Sequence, residues 1–264
     1  MTDMDTVMIE RIAKEVVLEV MKNRTASAGA AVAGGGCGGN CKCGGEFDVK
    51  LAGAMEHSMI RPDATPAMVK QFCDEAVKYG FRNVALAPCF VPLAYSLLKD
   101  TKVKVSTAVA FPMGIASTLT KVAETLEVIE NGATEIDLPV NVGMVKAGEL
   151  NAVRADIEAV VKASGKRALI KVVVDLGALS DEEKIKVALV AKLAGADFLK
   201  IAATTRPVGV NADDIKFFRS VVGPEMGLKA DGGIKDHKAA AAVMEAGCTT
   251  IGASGSVKIV TDVK

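Results

Sequence analysis

From residue 51 onward, short apolar runs alternate with stretches whose apolar residues recur every three to four positions. Runs of this length are typical of buried strands, and the recurring pattern is typical of amphipathic helices. Strands are predicted over 51–57, 82–87, 103–111, 134–140, 168–175, 197–203, 226–231 and 249–253. Helices are predicted between them, as over 65–79, 116–131, 181–194, 211–221 and 236–246. This alternation indicates a parallel sheet built from βα units.

Glycines mark the ends of several predicted helices, as expected for a left-handed residue that follows a helix C-terminus. They are Gly80, Gly132, Gly195 and Gly247. Eight βα units over about 210 residues fit a compact (β/α)8 TIM barrel in the α/β class, and a doubly wound open sheet is the alternative. In such a barrel, function lies at the C-terminal ends of the strands, and alternate strand residues face the lumen.

The residues before the barrel follow a different pattern. Over 9–23, apolar residues form one helical stripe opposite charged residues, which predicts a short amphipathic helix. The Gly- and Ala-rich segment that follows cannot form a packed core and is predicted to be a flexible linker. We therefore divide the chain into an amphipathic helix over 1–24, a linker over 25–46 and a barrel over 47–264.

Composition narrows the class of protein. The 264 residues are half apolar, which is enough for one sizeable core, and 32 Lys and Arg balance 32 Asp and Glu. A balanced charge gives no basic field for nucleic acid. No apolar run approaches the roughly 18 residues that span a bilayer, and acidic residues near the N-terminus do not fit a secretory signal. We expect a cytoplasmic protein without nucleic-acid or membrane partners.

Six cysteines do not suggest a disulfide framework in a chain of this size and class. Three of them lie singly in apolar segments, where free thiols usually pack as small hydrophobic groups; they are Cys73, Cys89 and Cys248. The other three, in CGGNCKC, lack the fourth ligand of a closed zinc site; they are Cys37, Cys41 and Cys43. We therefore predict no metal.

Two lysines stand in the middle of strand-like apolar runs: Lys200 in DFLKIAATT and Lys229 in MGLKADGGIKD. Lysine is rarely buried without a partner. Two ammonium groups in one buried pocket lower each other's pKa, so one of them can be a neutral amine that attacks a carbonyl. The alternative is that both lysines lie on the surface as strand-edge charges.

Two further ionisable residues are predicted in the same lumen. Asp137 has apolar neighbours on the fourth strand, where a carboxylate needs a cation or a raised pKa, and Lys171 lies on the fifth strand. A buried ion-pair network that only fixes the barrel is the structural alternative, although apolar replacements of such networks are often no less stable. In the chemical interpretation, Lys200 forms an iminium, Asp137 moves protons and Lys229 lowers the pKa of Lys200. This chemistry needs no metal or cofactor.

Gly-rich segments end the last two predicted strands. They are DGGIKD, residues 231–236, and GASGS, residues 252–256. Small residues leave backbone N–H groups uncovered, and helices are predicted directly afterwards, at the usual phosphate position of such barrels. The predicted phosphate-binding residues here are Gly232, Gly233, Gly252, Ser254 and Gly255.

The ordered motifs resemble the deoxyribose-phosphate aldolase family. They are EHSMIRPDAT, VALAPCFVPLA, VAFPMG, EIDLPVNVGMVKAGEL, IKVVVDLGALSDEEK, GADFLKIAATT, LKADGGIKD and IGASGS, and the resemblance covers residues 50–256. It implies a class I aldehyde-lyase that reversibly cleaves 2-deoxy-D-ribose 5-phosphate to acetaldehyde and D-glyceraldehyde 3-phosphate. It also implies that Lys200 is the Schiff-base lysine, Lys229 the pKa-lowering lysine and Asp137 the proton-transfer acid.

The chain departs from that family in three places. Residues 201–204 read Ile-Ala-Ala-Thr where the family usually has Thr-Ser-Thr-Gly, a run that helps to bind phosphate. Glu56 stands where the family more often has Asp, and the C-terminal tyrosine of some members is absent. We include Thr204, Arg206 and Lys171 among the substrate-binding candidates, with Arg206 as a replacement for a lost phosphate contact.

These departures leave two alternatives open. One is a Schiff-base aldolase of the same fold with a different aldehyde or sugar-phosphate substrate. The other is a catalytically silent barrel that binds sugar phosphate or associates with a shell.

The N-terminal segment is similar to the encapsulation peptides that carry enzymes into bacterial microcompartments. This resemblance implies that residues 5–23 dock on a shell or core protein. Such a compartment would confine a volatile aldehyde. The alternative is a terminal helix that packs on its own barrel or on a second subunit, and we expect the chain to form a homodimer.

Overall fold

The computed structural model describes residues 47–263, together with residues 7, 8, 11 and 15. Eight parallel strands close into a barrel in sequence order, and β1 pairs with β8. The strands are β1 Met55–Met59, β2 Asn83–Leu86, β3 Lys104–Ala108, β4 Glu135–Pro139, β5 Leu169–Asp175, β6 Phe198–Ala202, β7 Gly227–Asp231 and β8 Thr250–Ala253. The predicted (β/α)8 barrel is confirmed, and the open sheet is excluded because its edge strands would be unpaired.

Helices cover the outside of the barrel. They are α1 Val49–Ala52, α2 Pro66–Tyr79, α3 Val91–Leu98, α4 Thr118–Glu130, α5 Val142–Lys146, α6 Leu150–Ser164, α7 Asp181–Leu193, α8 Ala212–Val222, α9 His237–Glu245 and α10 Ser256–Thr261. A 3-10 turn, Pro88–Phe90, precedes α3. The predicted glycines adopt positive φ after their helices, at Gly80 65°, Gly132 105°, Gly195 80° and Gly247 104°.

The first predicted strand is the main error at the level of elements. Residues 49–52 form α1, and the strand begins at Met55. The Asp48 carboxylate accepts a hydrogen bond from the Leu51 N–H at 2.9 Å and so caps a helical turn. A short apolar run has the same appearance in a strand and in a buried helical turn, so the pattern alone does not separate them.

Strand alternation divides the apolar core from the lumen. On β6, Leu199 and Ile201 are fully buried between the sheet and the helices, whereas Lys200 between them faces the lumen. The register places Lys200 beside Lys229 of β7, and Asp137 of β4 beside Lys171 of β5. The fold therefore brings Asp137 and Lys229 together although they are 92 positions apart in the sequence.

Several predictions concern other parts of the chain. The predicted helix over 9–23 and the linker over 25–46 fall, except for Arg11 and Glu15, outside the described residues, as do the three cysteines of CGGNCKC. In the barrel, Cys73, Cys89 and Cys248 are free thiols; Cys73 and Cys248 are buried, as predicted, whereas Cys89 is exposed. Among the described helices, none is long and apolar enough to cross a membrane.

Candidate active site

Ionisable side chains from five strands meet in the barrel lumen. Each lysine ammonium group of this cluster contacts at least two carboxylates. The group consists of Glu56 on β1, Glu135 and Asp137 on β4, Lys171 on β5, Lys200 on β6, and Lys229 and Asp231 on β7.

One oxygen of Asp137 connects the two lysines singled out from the sequence. Its Oδ2 accepts hydrogen bonds from Nζ of Lys200 and from Nζ of Lys229, each at 2.8 Å. Lys229 is completely buried and Lys200 is 6% exposed. The predicted convergence of these three side chains is confirmed, and the alternative of strand-edge surface charges is wrong.

A second layer lies beneath this pair. Glu56 bridges Lys229 and Lys171, with 2.7 Å between its Oε2 and the Lys171 Nζ. Lys171 also contacts Glu135 Oε2 at 2.7 Å and donates to Ser106 Oγ at 3.3 Å. Lys171 is fully buried and lines neither of the two cavities described below. The structure therefore places it beneath the site as a support, not at a substrate-binding position.

Asp231 completes the upper layer and did not figure among the predicted site residues. Its Oδ2 lies 2.7 Å from Lys200 Nζ and 3.7 Å from Lys229 Nζ. The sequence could have indicated it, because Asp231 stands two positions after Lys229 and alternate residues of a strand share one face. Gly252 makes room for this contact: a Cβ there would lie 2.7 Å from Asp231 Oδ2 and 3.1 Å from Lys229 Cε.

The carboxylates oppose the effect of burial on the pKa of the two lysines. Burial acts to lower the pKa of Lys200, but Asp137 and Asp231 outweigh it and raise that pKa. Burial likewise opposes the charge of Lys229, and Asp137 and Glu56 raise its pKa. Lys229 acts to lower the pKa of Lys200, as expected, but this effect is smaller than that of the two carboxylates.

The carboxylates show the complementary effect. Burial would raise the pKa of Glu56, but Lys171 and Lys229 lower it to about 2. Burial would also raise the pKa of Asp137, and Lys200 and Lys229 lower it. Oxygens of Glu56, Asp137 and Asp231 lie within 4.8 Å of one another, and the ammonium groups of Lys200 and Lys229 balance this concentration of negative charge.

A cavity of about 720 Å³, here called the polar cavity, opens above the cluster. Lys200, Asp137 and Asp231 lie in its wall. The wall also contains the predicted phosphate-binding residues Gly232, Gly233, Gly252, Ser254 and Gly255. The structure thus brings the β7 and β8 loops and the Schiff-base candidate to one cavity.

Three cations of the polar cavity were missed in the sequence: Arg61, Lys235 and Lys258. Arg61 is paired with Asp63. Within the described part of the chain, Lys235 and Lys258 form no ion pair, so they are available to an anion. Lys235 lies in the quoted DGGIKD motif, whereas Lys258 lies on α10 and reaches the cavity only because that short helix follows the β8 loop directly.

A second cavity of about 750 Å³, here called the apolar cavity, also has Lys200 in its wall. It shares Phe111, Lys200, Asp231 and Gly232 with the polar cavity. Its apolar wall is formed by Met113, Ile115, Val140, Val142, Val173, Ala178, Ala202 and Ala203. Thr204 also lines this cavity, and not the polar one.

Arg206 lines neither cavity. Its guanidinium donates to Asp214 at 2.6 and 3.1 Å, to the Gly209 carbonyl at 2.7 Å and to the Val208 carbonyl at 2.9 Å. These bonds hold the loop between β6 and α8. The structure does not bring Arg206 to the phosphate position that the sequence suggested.

The fold and the cluster together define a class of protein: a (β/α)8 barrel enzyme with a buried lysine amine as its candidate nucleophile. Residues 51–258 match the model of the DeoC/LacD family aldolases. Deoxyribose-phosphate aldolase of Caldanaerobacter subterraneus subsp. tengcongensis is 46% identical over 218 residues, which cover 82% of this chain and 94% of the relative. The corresponding enzyme of Enterococcus faecalis is 41% identical over 213 residues, 81% of this chain and 97% of the relative.

Solved structures show the same relationship. The deoxyribose phosphate aldolase of Aeropyrum pernix, described as tetrameric, superposes with a TM-score of 0.75 at 29% identity. The superposition covers 83% of this chain and 92% of that one. The chain belongs to the DeoC/LacD aldolase family.

Proposed function

We propose that this aldehyde-lyase reversibly cleaves 2-deoxy-D-ribose 5-phosphate to acetaldehyde and D-glyceraldehyde 3-phosphate through a Schiff base on Lys200. The observation that carries the proposal is the shared Asp137 oxygen, 2.8 Å from both Lys200 and Lys229 at the wall of a cavity. This arrangement gives a nucleophile a proton acceptor and a second charge at hydrogen-bond distance. The names of the relatives support the choice of substrate.

The first step is the release of a proton from Lys200. Its ammonium group donates to Asp137 and lies 2.7 Å from Asp231. Either carboxylate can take up the proton when the substrate carbonyl displaces water. The positive charge of Lys229 opposes the positive charge on Lys200 and so favours this release. The free amine then attacks the C1 aldehyde of the sugar and forms a carbinolamine.

The second step breaks the carbon bond. Loss of water from the carbinolamine gives an iminium, which withdraws electrons from the C2–C3 bond. The C3 hydroxyl loses its proton to Asp137, directly or through one water, and glyceraldehyde 3-phosphate leaves. The remaining enamine takes a proton at C2, and hydrolysis of the resulting iminium releases acetaldehyde and restores the amine.

The polar cavity supplies the proposed phosphate position. Gly232 and Gly233 adopt positive φ, 98° and 80°, which keeps their backbone accessible at the end of β7. Gly233 also packs against the backbone of Gly209: a Cβ at position 233 would lie 2.2 Å from the Gly209 Cα. Glycine is therefore needed at position 233 for packing as well as for the phosphate site. Lys235 and Lys258 add the positive charge that a phosphate dianion needs.

Borohydride trapping tests the mechanism. The full-length protein is incubated with acetaldehyde and sodium borohydride, and the adduct is mapped by peptide mass spectrometry. We expect a mass increase on the peptide that carries Lys200, and none in Lys200→Met. Retro-aldol turnover is measured separately with 2-deoxyribose 5-phosphate. An adduct without turnover of this sugar favours the aldolase with another substrate, whereas no adduct favours the silent barrel.

We further propose that residues 5–23 form an encapsulation address and lie outside the catalytic unit. The amphipathic pattern and the Gly/Ala linker support this, as does the start of the family match at residue 51. Deletion of residues 1–45 is expected to leave turnover unchanged and to abolish co-purification with microcompartment shells. A large loss of turnover would show that the segment belongs to the folded enzyme. The homodimer expected from the sequence stays a prediction.

A further inference from the structure

Cleavage of the sugar leaves an enamine on Lys200, and its C2 carbon must receive a proton before acetaldehyde can leave. C2 is two bonds from the lysine nitrogen and therefore lies about 2.5 Å from it. The acid that protonates C2 must consequently lie beside the Lys200 Nζ. Among the described residues, no His, Cys or Tyr lines either cavity, so the carboxyl groups that contact this nitrogen are the candidate acids.

Two carboxylates contact the Lys200 Nζ, and they differ in their access to the cavities. The Asp137 Oδ2 lies 2.8 Å from this nitrogen, its side chain is 1% exposed, and it lines the polar cavity alone. The Asp231 Oδ2 lies 2.7 Å from the same nitrogen, its side chain is 25% exposed, and it lines both cavities. Asp231 can therefore exchange a proton with solvent water while it contacts the lysine.

The two carboxylates also differ in the cation that stays beside them when Lys200 becomes an enamine. The enamine nitrogen has no positive charge and one N–H, whereas the ammonium group has three. The Asp137 Oδ2 then still accepts a hydrogen bond from Lys229 at 2.8 Å. The Asp231 Oδ2 lies 3.7 Å from the Lys229 Nζ, which is beyond hydrogen-bond distance. Protonation of Asp231 is therefore less costly than protonation of Asp137.

We propose that Asp231 is a catalytic residue: the acid that protonates C2 of the enamine, and the base that removes a C2 proton in the reverse direction. This inference rests on the proposed Schiff-base function. Asp231 takes up a proton from solvent water, the C1–C2 π electrons of the enamine form the new C2–H bond, and the nitrogen becomes an iminium. Asp231 is then a carboxylate again. Asp137 returns to solvent the proton that it took from the C3 hydroxyl, so the cycle consumes no proton.

Exchange of the acetaldehyde methyl protons in heavy water isolates this step, because it needs no cleavage of a carbon–carbon bond. The full-length enzyme is incubated with acetaldehyde, and loss of the methyl signal is followed by proton NMR. Iminium formation is measured separately as the rate of borohydride trapping. In Asp231→Asn, the ratio of the exchange rate to the trapping rate is expected to fall roughly 10²-fold or more. Trapping itself should not slow, because the variant lacks a carboxylate that raises the pKa of Lys200.

A second variant and a matched control complete the test. Asp231→Ser is expected to give the same fall in the ratio, whereas Asp100→Asn should keep the wild-type ratio, since Asp100 is exposed and lines neither cavity. A wild-type ratio in either Asp231 variant overturns the proposal, as does a fall in Asp137→Asn that Asp231→Asn does not share. Both results leave the proposed function intact. Absence of any borohydride adduct in the wild-type enzyme overturns the proposed function as well.

Discussion

Lys171 and Lys200 lie on adjacent strands of the same lumen, yet only Lys200 reaches a cavity. The Lys171 Nζ lies between Glu56 and Glu135, 2.7 Å from each. The Lys200 Nζ lies 2.8 Å from Asp137 and 2.7 Å from Asp231, one layer higher. Two lysines in a similar sequence context therefore differ in function through their depth in the barrel. One supports the carboxylates, and the other can meet a substrate.

Replacement of Asp137 by asparagine tests its role in proton transfer. Asparagine keeps the shape of the side chain but cannot take up a proton, so kcat for cleavage is expected to fall roughly 10²- to 10⁴-fold. The assay is steady-state turnover of 2-deoxyribose 5-phosphate. Asp100→Asn is the control, because Asp100 is exposed and lines neither cavity. A fall of less than about threefold would contradict the assignment.

Removal of the Lys229 charge is expected to shift the pH dependence of Schiff-base formation. Lys229 lowers the pKa of Lys200, so Lys229→Met should raise that pKa. The rate of borohydride trapping with acetaldehyde should then reach half its maximum at a higher pH. Lys171→Met is the comparison, because it removes an equally buried charge that lies 3.8 Å from Asp137. An equal shift in both variants would show a general effect of charge and not a role of Lys229.

The Glu56 carboxylate is expected to stabilise the fold in a pH-dependent way. Its pKa is lowered from 4.5 to about 2 by its lysine partners, despite the opposing effect of burial. A lowered folded-state pKa gives stability that is fully present above pH 4.5 and is lost as the pH falls through about 2. The size of this contribution is on the order of 3 kcal/mol.

Urea unfolding of the wild type and of Glu56→Gln between pH 7 and pH 2 measures this contribution. The difference in the free energy of unfolding should be constant above about pH 5 and should shrink below it. Glu225→Gln is suitable as a control, since it changes an exposed glutamate and should leave the pH dependence unaltered. A difference that does not change with pH would show that Glu56 acts only through packing.

Lys258 is predicted to bind the substrate phosphate. Lys258→Ala removes a cation from the polar cavity, and KM for 2-deoxyribose 5-phosphate should rise roughly 10- to 100-fold. KM for unphosphorylated 2-deoxyribose should stay the same. Lys99→Ala removes an exposed lysine that lines neither cavity and serves as the control. Equal increases of KM for both sugars would place the phosphate elsewhere.

The sequence by itself determined the alternation of strands and helices and the identity of the three central ionisable residues. Apolar runs, helical stripes and terminal glycines are local signals, because they arise from backbone geometry over a few residues. A lysine in the middle of an apolar run is also a local signal, since its burial without a partner would be costly. Lys200, Lys229 and Asp137 could therefore be selected before any contact was known.

Only the tertiary structure decided how these groups act on one another. The pKa of Lys200 depends on Asp137 and Asp231, which come from two other strands, and the sequence does not give their distances. The same holds for the depth of Lys171, for the internal bonds of Arg206 and for the place of Lys258 in the cavity wall. Electrostatic interaction depends on separation in space and on burial, and both are set when the barrel closes.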